Sequence, residues 1–114
     1  MPVVYDIYDL MAGAILTRRQ VMCTYRGAPR EVCPVMLGRK NGAACVVTWQ
    51  FAGTNENGES VQGSWKCLEL DAVSDVRLHD GPWHADDGGR RPPAWLDDVD
   101  LDIDRVSAPP PRQG

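Results

Sequence analysis

Arg30, Arg39, Lys40, Trp49, Gln50, Trp65 and Lys66 are the residues of this chain whose types suit molecular recognition. Guanidinium and ammonium groups neutralise phosphate, and an open indole face stacks on a base for about 1–3 kcal/mol in single-strand binders. Together they predict a basic and aromatic patch for a nucleotide or single-stranded nucleic acid. The charge distribution supports it: residues 1–40 hold six Lys/Arg against three Asp/Glu, whereas residues 83–114 hold four against seven. A competing reading puts Trp49 in the core, since the strand around it is apolar on both faces, and leaves Trp65, beside Gly63-Ser64, between core and surface. Arg39 and Lys40 on a tight turn also read as solvated loop charges.

Catalytic groupings are hard to build from the remaining residues. There is no G-x-S-x-G, no Gly-rich phosphate loop and no H-E-x-x-H, so the chain is expected to be non-enzymatic, with no catalytic residue. His79 and His84 lie beside Asp80, Asp86 and Asp87, but their spacing fits no helix face and reads as a solvated loop. The acidic run from Asp97 to Asp104 lacks the central glycine and terminal glutamate of a calcium loop. Cys23, Cys33, Cys45 and Cys67 fall one per predicted strand with no CxxC, which reads as four small buried hydrophobes rather than zinc ligands. No metal and no cofactor are expected.

The elements that must position the patch follow from composition and pattern. A chain of 114 residues is one domain with enough mass for a real core, and 11 glycines with 9 prolines favour a turn-rich β protein. The net charge of −4 argues against broad, sequence-indifferent phosphate binding. No stretch approaches the roughly 18 apolar residues of a membrane span and no leader pattern opens the chain, so a soluble, cytoplasmic protein without membrane partners is expected.

Residues Val4 to Arg19 repeat apolar positions at i, i+3 and i+4, with Asp6 and Asp9 early and Arg18 and Arg19 late, which predicts an amphipathic helix. Strands are predicted at Gln20–Arg26, Arg30–Leu37, Ala44–Ala52, Gly63–Leu70 and Val73–Leu78. Gly27-Ala28-Pro29 and Asn41-Gly42 supply turns, and Pro34 points to an edge position or a bulge. Five short strands after one helix suit a small, strongly bent barrel. Beyond His79 the alternation of Val99, Leu101 and Ile103 with aspartates predicts an acidic strand. It either folds back as an added edge, the preferred reading, or forms a detached arm. The expected division is 1–84 for barrel and helix, 85–106 for linker and acidic strand, and 107–114 for a disordered tail.

From about Ala14 to His84 the order of signals resembles the WYL-domain family, specifically its short stand-alone bacterial members. The matching features are Tyr25, Arg30-Glu31-Val32-Cys33-Pro34, Leu37-Gly38-Arg39, Trp49-Gln50, and Trp65 through Val73 with its Leu70-Asp71. The resemblance implies a five-stranded Sm-like (Src-homology-3-like) barrel that acts as a regulatory module. Such a module binds a nucleotide or single-stranded nucleic acid and alters a partner protein. Departures are visible: the namesake Trp-Tyr-Leu is Thr48-Trp49-Gln50 here, arginines that flank the Leu-Asp pair are replaced by Glu69 and Ala72, and no helix-turn-helix precedes the barrel. The alternative function is a protein-interaction or assembly subunit, dimeric or bound to a regulated partner. It would use the helix face with Tyr5, Tyr8 and Met11 or the acidic strand at Asp98–Asp104, and no small ligand.

Overall fold

The computed structural model describes residues 6–85 and 91–106. Val4 and Tyr5 of the expected helix, residues 86–90 of the expected linker and the expected tail at 107–114 lie outside the described residues.

The helix α1 (Ile7–Thr17) opens on Asp6, whose carboxylate accepts from the Tyr8 backbone N–H at 2.9 Å, and closes on Arg18 in the left-handed conformation. Its i, i+3, i+4 residues Met11, Ala14 and Ile15 are buried. They seat the helix on one face of a sheet built from β1 (Gln20–Tyr25), β2 (Ala28–Lys40), β3 (Ala43–Gly53), β4 (Ser64–Glu69), β5 (Val73–His79) and β6 (Asp98–Asp102). All pairs are antiparallel, in the order β4-β3-β2-β1-β5, with β6 added on β2. Among the described residues no helix is long and apolar enough to cross a membrane.

β2 organises the rest. β3 pairs along one of its edges, while the other edge is shared between β1, as far as Val32, and β6, from Met36. Pro34 sits where that neighbour changes and where the β2–β3 register slips. A proline lacks the ladder N–H, so its place is at the bulge rather than in an edge strand. The acidic strand is docked, as preferred, although its pattern ends earlier than expected. β6 stops at Asp102, Ile103 enters a short 3-10 turn, and Val99 is 49% exposed.

Side-chain parity divides the core. Val46 and Leu68 join Val21, Cys23, Tyr25, Val32 and Leu37 under the helix. Val47, Trp49, Phe51, Trp65 and Cys67 face the other way and pack with Cys33, Val35, Trp83 and Trp95, so all four tryptophans share this second cluster. Strands buried on both faces read as continuous apolar runs, which is why β3 does.

β4 and β5 are joined by the three-residue 3-10 turn Leu70–Ala72. A flat five-stranded sheet would hold its outer strands about 19 Å apart, and such a turn rises only about 6 Å, so the sheet must curl. The ladder is nevertheless not closed, because β4 and β5 do not pair. The expected barrel is therefore observed as an open, curled sheet.

Two predictions follow from this packing. Gly38 lies at the register shift where β6 pairs with β2, and a Cβ there would overlap the Asp98 carbonyl oxygen. Gly38→Ala should cost about 1–3 kcal/mol in urea unfolding; wild-type stability would contradict the close approach. Burial pushes the Cys23 thiol from its ordinary 9.0 up to about 11, with Arg30 pulling the other way. The folded state thus holds a proton that the unfolded chain releases, so this contribution is constant below about pH 9 and stability falls between about 9 and 11. Cys23→Ala should flatten that decline in urea midpoints measured across the range, and an unchanged slope would contradict it.

Candidate anion-binding cleft

The seven residues singled out in the sequence do not form one surface. Neighbours in a strand face opposite sides, so Trp49 parts from Gln50 and Trp65 from Lys66. Trp49 and Trp65 are half-buried, packed edge to face at 5.0 Å and 69° in the second cluster, where the buried Trp65 indole N–H has no acceptor among the described residues. Arg39 and Lys40 are exposed at the β2–β3 turn, nine residues from Arg30 along β2 and so about 30 Å away. Arg30, Gln50 and Lys66 remain, brought together on the helix-facing side at the other end of the sheet.

Arg30 is the centre of this group. It faces Cys23 on β1 and Gly53 on β3, and only 3% of it is exposed. Gly53, at φ +95°, is required there, since a Cβ would overlap the Pro29 carbonyl oxygen and press on the Arg30 backbone. The guanidinium lies 5.0 Å from the Tyr25 ring centroid and donates from Nη1 to Gln50 Oε1 at 3.2 Å. Among the described residues its enclosed Nε–H meets no acceptor and no carboxylate lies within ion-pair distance of it.

Gln50 is fully buried and links this charge to the loop after β3. Its Nε2 donates to the carbonyls of Ala52 and Thr54, both at 3.1 Å. Thr54 N–H donates to Pro29, and Thr54 bridges Ser60, which folds the loop over so that Asn55, Glu56 and Asn57 form one wall of a cleft of about 490 Å³. Arg30, Tyr25 and Arg26 form the floor and near side, and Lys66 and Glu69 come from β4.

Tyr25 and Arg26 are functional candidates that reading the sequence for chemistry did not select. The expected Gly27-Ala28-Pro29 turn is in fact Arg26-Gly27, with φ of 49° and 79°, nearly the values of Asn41-Gly42 at 53° and 81°. Both pairs match the two-residue hairpin turn that favours Asn-Gly, so Arg26 holds a backbone that penalises a long side chain by about 1–2 kcal/mol. Its guanidinium lies 5.3 Å from the Tyr25 centroid and 3.8 Å from the Glu69 carboxylate. Glu69 N–H in turn donates to the Tyr25 hydroxyl at 3.2 Å. These contacts are exposed to solvent and screened, so they do little to offset the backbone cost.

Among the described residues no group of three or more His, Cys, Asp or Glu side chains is placed to hold a metal ion. Burial raises the Cys67 thiol to about 11 and raises that of Cys45, its neighbour on the same face, which leaves both thiols protonated at neutral pH. A further hollow of about 440 Å³ on the indole side is lined by Val35, Met36, Trp65 and Trp83, with Arg18 and Asp102. Arg18 is engaged there in structural bonds to the Ile103 and Val106 carbonyls, both at 3.3 Å.

If Arg26 serves the cleft rather than the fold, Arg26→Asn should leave the urea midpoint unchanged or raise it. A loss greater than about 1 kcal/mol would show that the side chain is there to hold the hairpin. Comparison with known proteins finds no match: no family model, no curated protein and no solved structure is similar to this chain.

Proposed function

We propose that this protein is a non-enzymatic, ligand-sensing module that binds a phosphate-bearing ligand, a nucleotide or single-stranded nucleic acid, in the cleft of Tyr25, Arg26, Arg30 and Lys66. The observation that carries the reading is the buried Arg30 guanidinium, which among the described residues has no carboxylate within ion-pair distance. Enclosing an ionised group costs several kcal/mol. A hydrogen bond from a charged donor returns about 1.5–3 kcal/mol and a desolvated cation–π contact about 2 kcal/mol. Gln50 and Tyr25 therefore compensate the charge only in part, and an external anion would complete it. Lys66 from β4 and Arg26 from the neighbouring turn add positive charge to the same opening.

The reading keeps the resemblance to the WYL-domain family as its account of the fold, with the curled sheet as an Sm-like barrel left open along one seam. It is supported by one helix ahead of five antiparallel strands whose outer pair is joined by a single turn. It revises the source of affinity. With the indoles on the opposite face and Tyr25 contacted by two guanidiniums, phosphate rather than base stacking supplies the binding. The alternative, a protein-interaction subunit, draws its support from the acidic strand, where Asp98, Val99 and Asp100 are exposed, since on the helix Met11 is buried in the core and Tyr8 donates to Asp100 at 2.7 Å.

Titration of AMP by calorimetry tests the proposal. Arg30→Met, close in volume, should weaken binding about 10- to 100-fold, the loss of a charged hydrogen bond. Lys66→Ala should weaken it about 3- to 10-fold, while Arg39→Ala, at the far turn, should bind as wild type. Absence of binding, or equal loss in Arg39→Ala, would overturn the assignment.

A further inference from the structure

Three features of the cleft bear on which phosphate ligand it accepts. Its cations, Arg26, Arg30 and Lys66, line one cleft, two of them against the same Tyr25 ring. The next basic pair, Arg39 and Lys40, is about 30 Å distant along β2, several times the spacing of successive phosphates in a strand. Two carboxylates, Glu56 on the loop and Glu69 on β4, share the lining with the cations. A strand running through the cleft would bring its flanking phosphates against those carboxylates, and the cation nearest beyond Arg30, Arg77, lines an adjoining hollow where Glu31 and Asp75 accompany it. One compact anion seated on Arg30 meets neither obstacle, and a volume of about 490 Å³ suits a small molecule.

We infer, building on the function proposed above, that the ligand is a compact phosphate monoester or inorganic phosphate, and that Glu56 and Glu69 exclude the internal phosphates of a nucleic-acid strand. The chemical grounds are general. A monoester carries close to two negative charges at neutral pH, whereas each internal diester carries one. Three cations lining one cleft therefore favour the monoester, and the two carboxylates disfavour a chain with charge on either side. Glu69 also sits 3.8 Å from Arg26, where it competes with the ligand for that guanidinium. The shared chemistry is a terminal phosphate group, supplied either free or on a mononucleotide.

The test compares inorganic phosphate, AMP and a hexathymidylate without terminal phosphates on the wild-type chain, with Lys66→Ala and the Glu56→Gln, Glu69→Gln double variant alongside. AMP and phosphate should displace each other, and the hexathymidylate should bind at least tenfold more weakly than AMP. The double variant should improve hexathymidylate binding several-fold, as two like charges are removed from the path of its phosphates. Hexathymidylate binding as tight as AMP and weakened by Lys66→Ala would overturn the inference while leaving the anion cleft intact. Silence from all three probes would overturn the cleft itself. A double variant that gains no hexathymidylate affinity would refute the excluding role of the two carboxylates.

Discussion

A charged guanidinium enclosed by protein is the constraint around which one end of this fold is arranged. Arg30 stands on a central strand, held by a ring on one neighbouring strand and an amide on the other. Each holder has a second task. Tyr25 accepts from the Glu69 backbone and so ties β1 to the end of β4, while Gln50 fastens the first residues of the β3–β4 loop. The buried charge and the cleft walls beside it are therefore parts of one hydrogen-bonded unit.

The remainder of the molecule makes that unit rigid. β2 is paired along both edges and covered on both faces, by α1 and its cluster on one side and by the four tryptophans on the other. Segments after residue 90 close the indole face: β6 adds to β2, Asp97 N–H donates to the Arg39 carbonyl at 2.8 Å, and Asp97 Oδ2 accepts from Asn41 N–H at 2.7 Å. The acidic stretch thus works as a fastening, which accounts for charge that no ligand needs to explain. Cleft and fastening occupy opposite ends of β2, so the acidic strand does not oppose an anion at Arg30.

Much of this was legible in the residues. Asn41-Gly42 marked its hairpin because its backbone preference is strong, Pro34 marked the bulge, and the alternation around Leu101 marked β6. The first hairpin was misplaced because arginine is an unusual occupant of a left-handed turn position, so Arg26-Gly27 looked like the end of a strand. The site was half legible. Arg30, Gln50 and Lys66 were identified by type, but grouping them with Trp49 and Trp65 ignored that adjacent strand residues point apart. Parity counted from Val46 would have separated them. Nothing local could have shown that Arg30 has no carboxylate within reach among the described residues, since that depends on which side chains the tertiary fold brings near it.

The claim that an external anion completes the Arg30 charge is open to direct observation in the arginine side-chain nitrogen–proton spectrum during a phosphate titration. The account predicts that the Nε–H resonances of Arg30 and Arg26 shift together with one saturable constant while that of Arg39 stays fixed. A stationary Arg30 resonance at saturating phosphate would contradict it, and would mean that Tyr25 and Gln50 alone suffice for the buried charge.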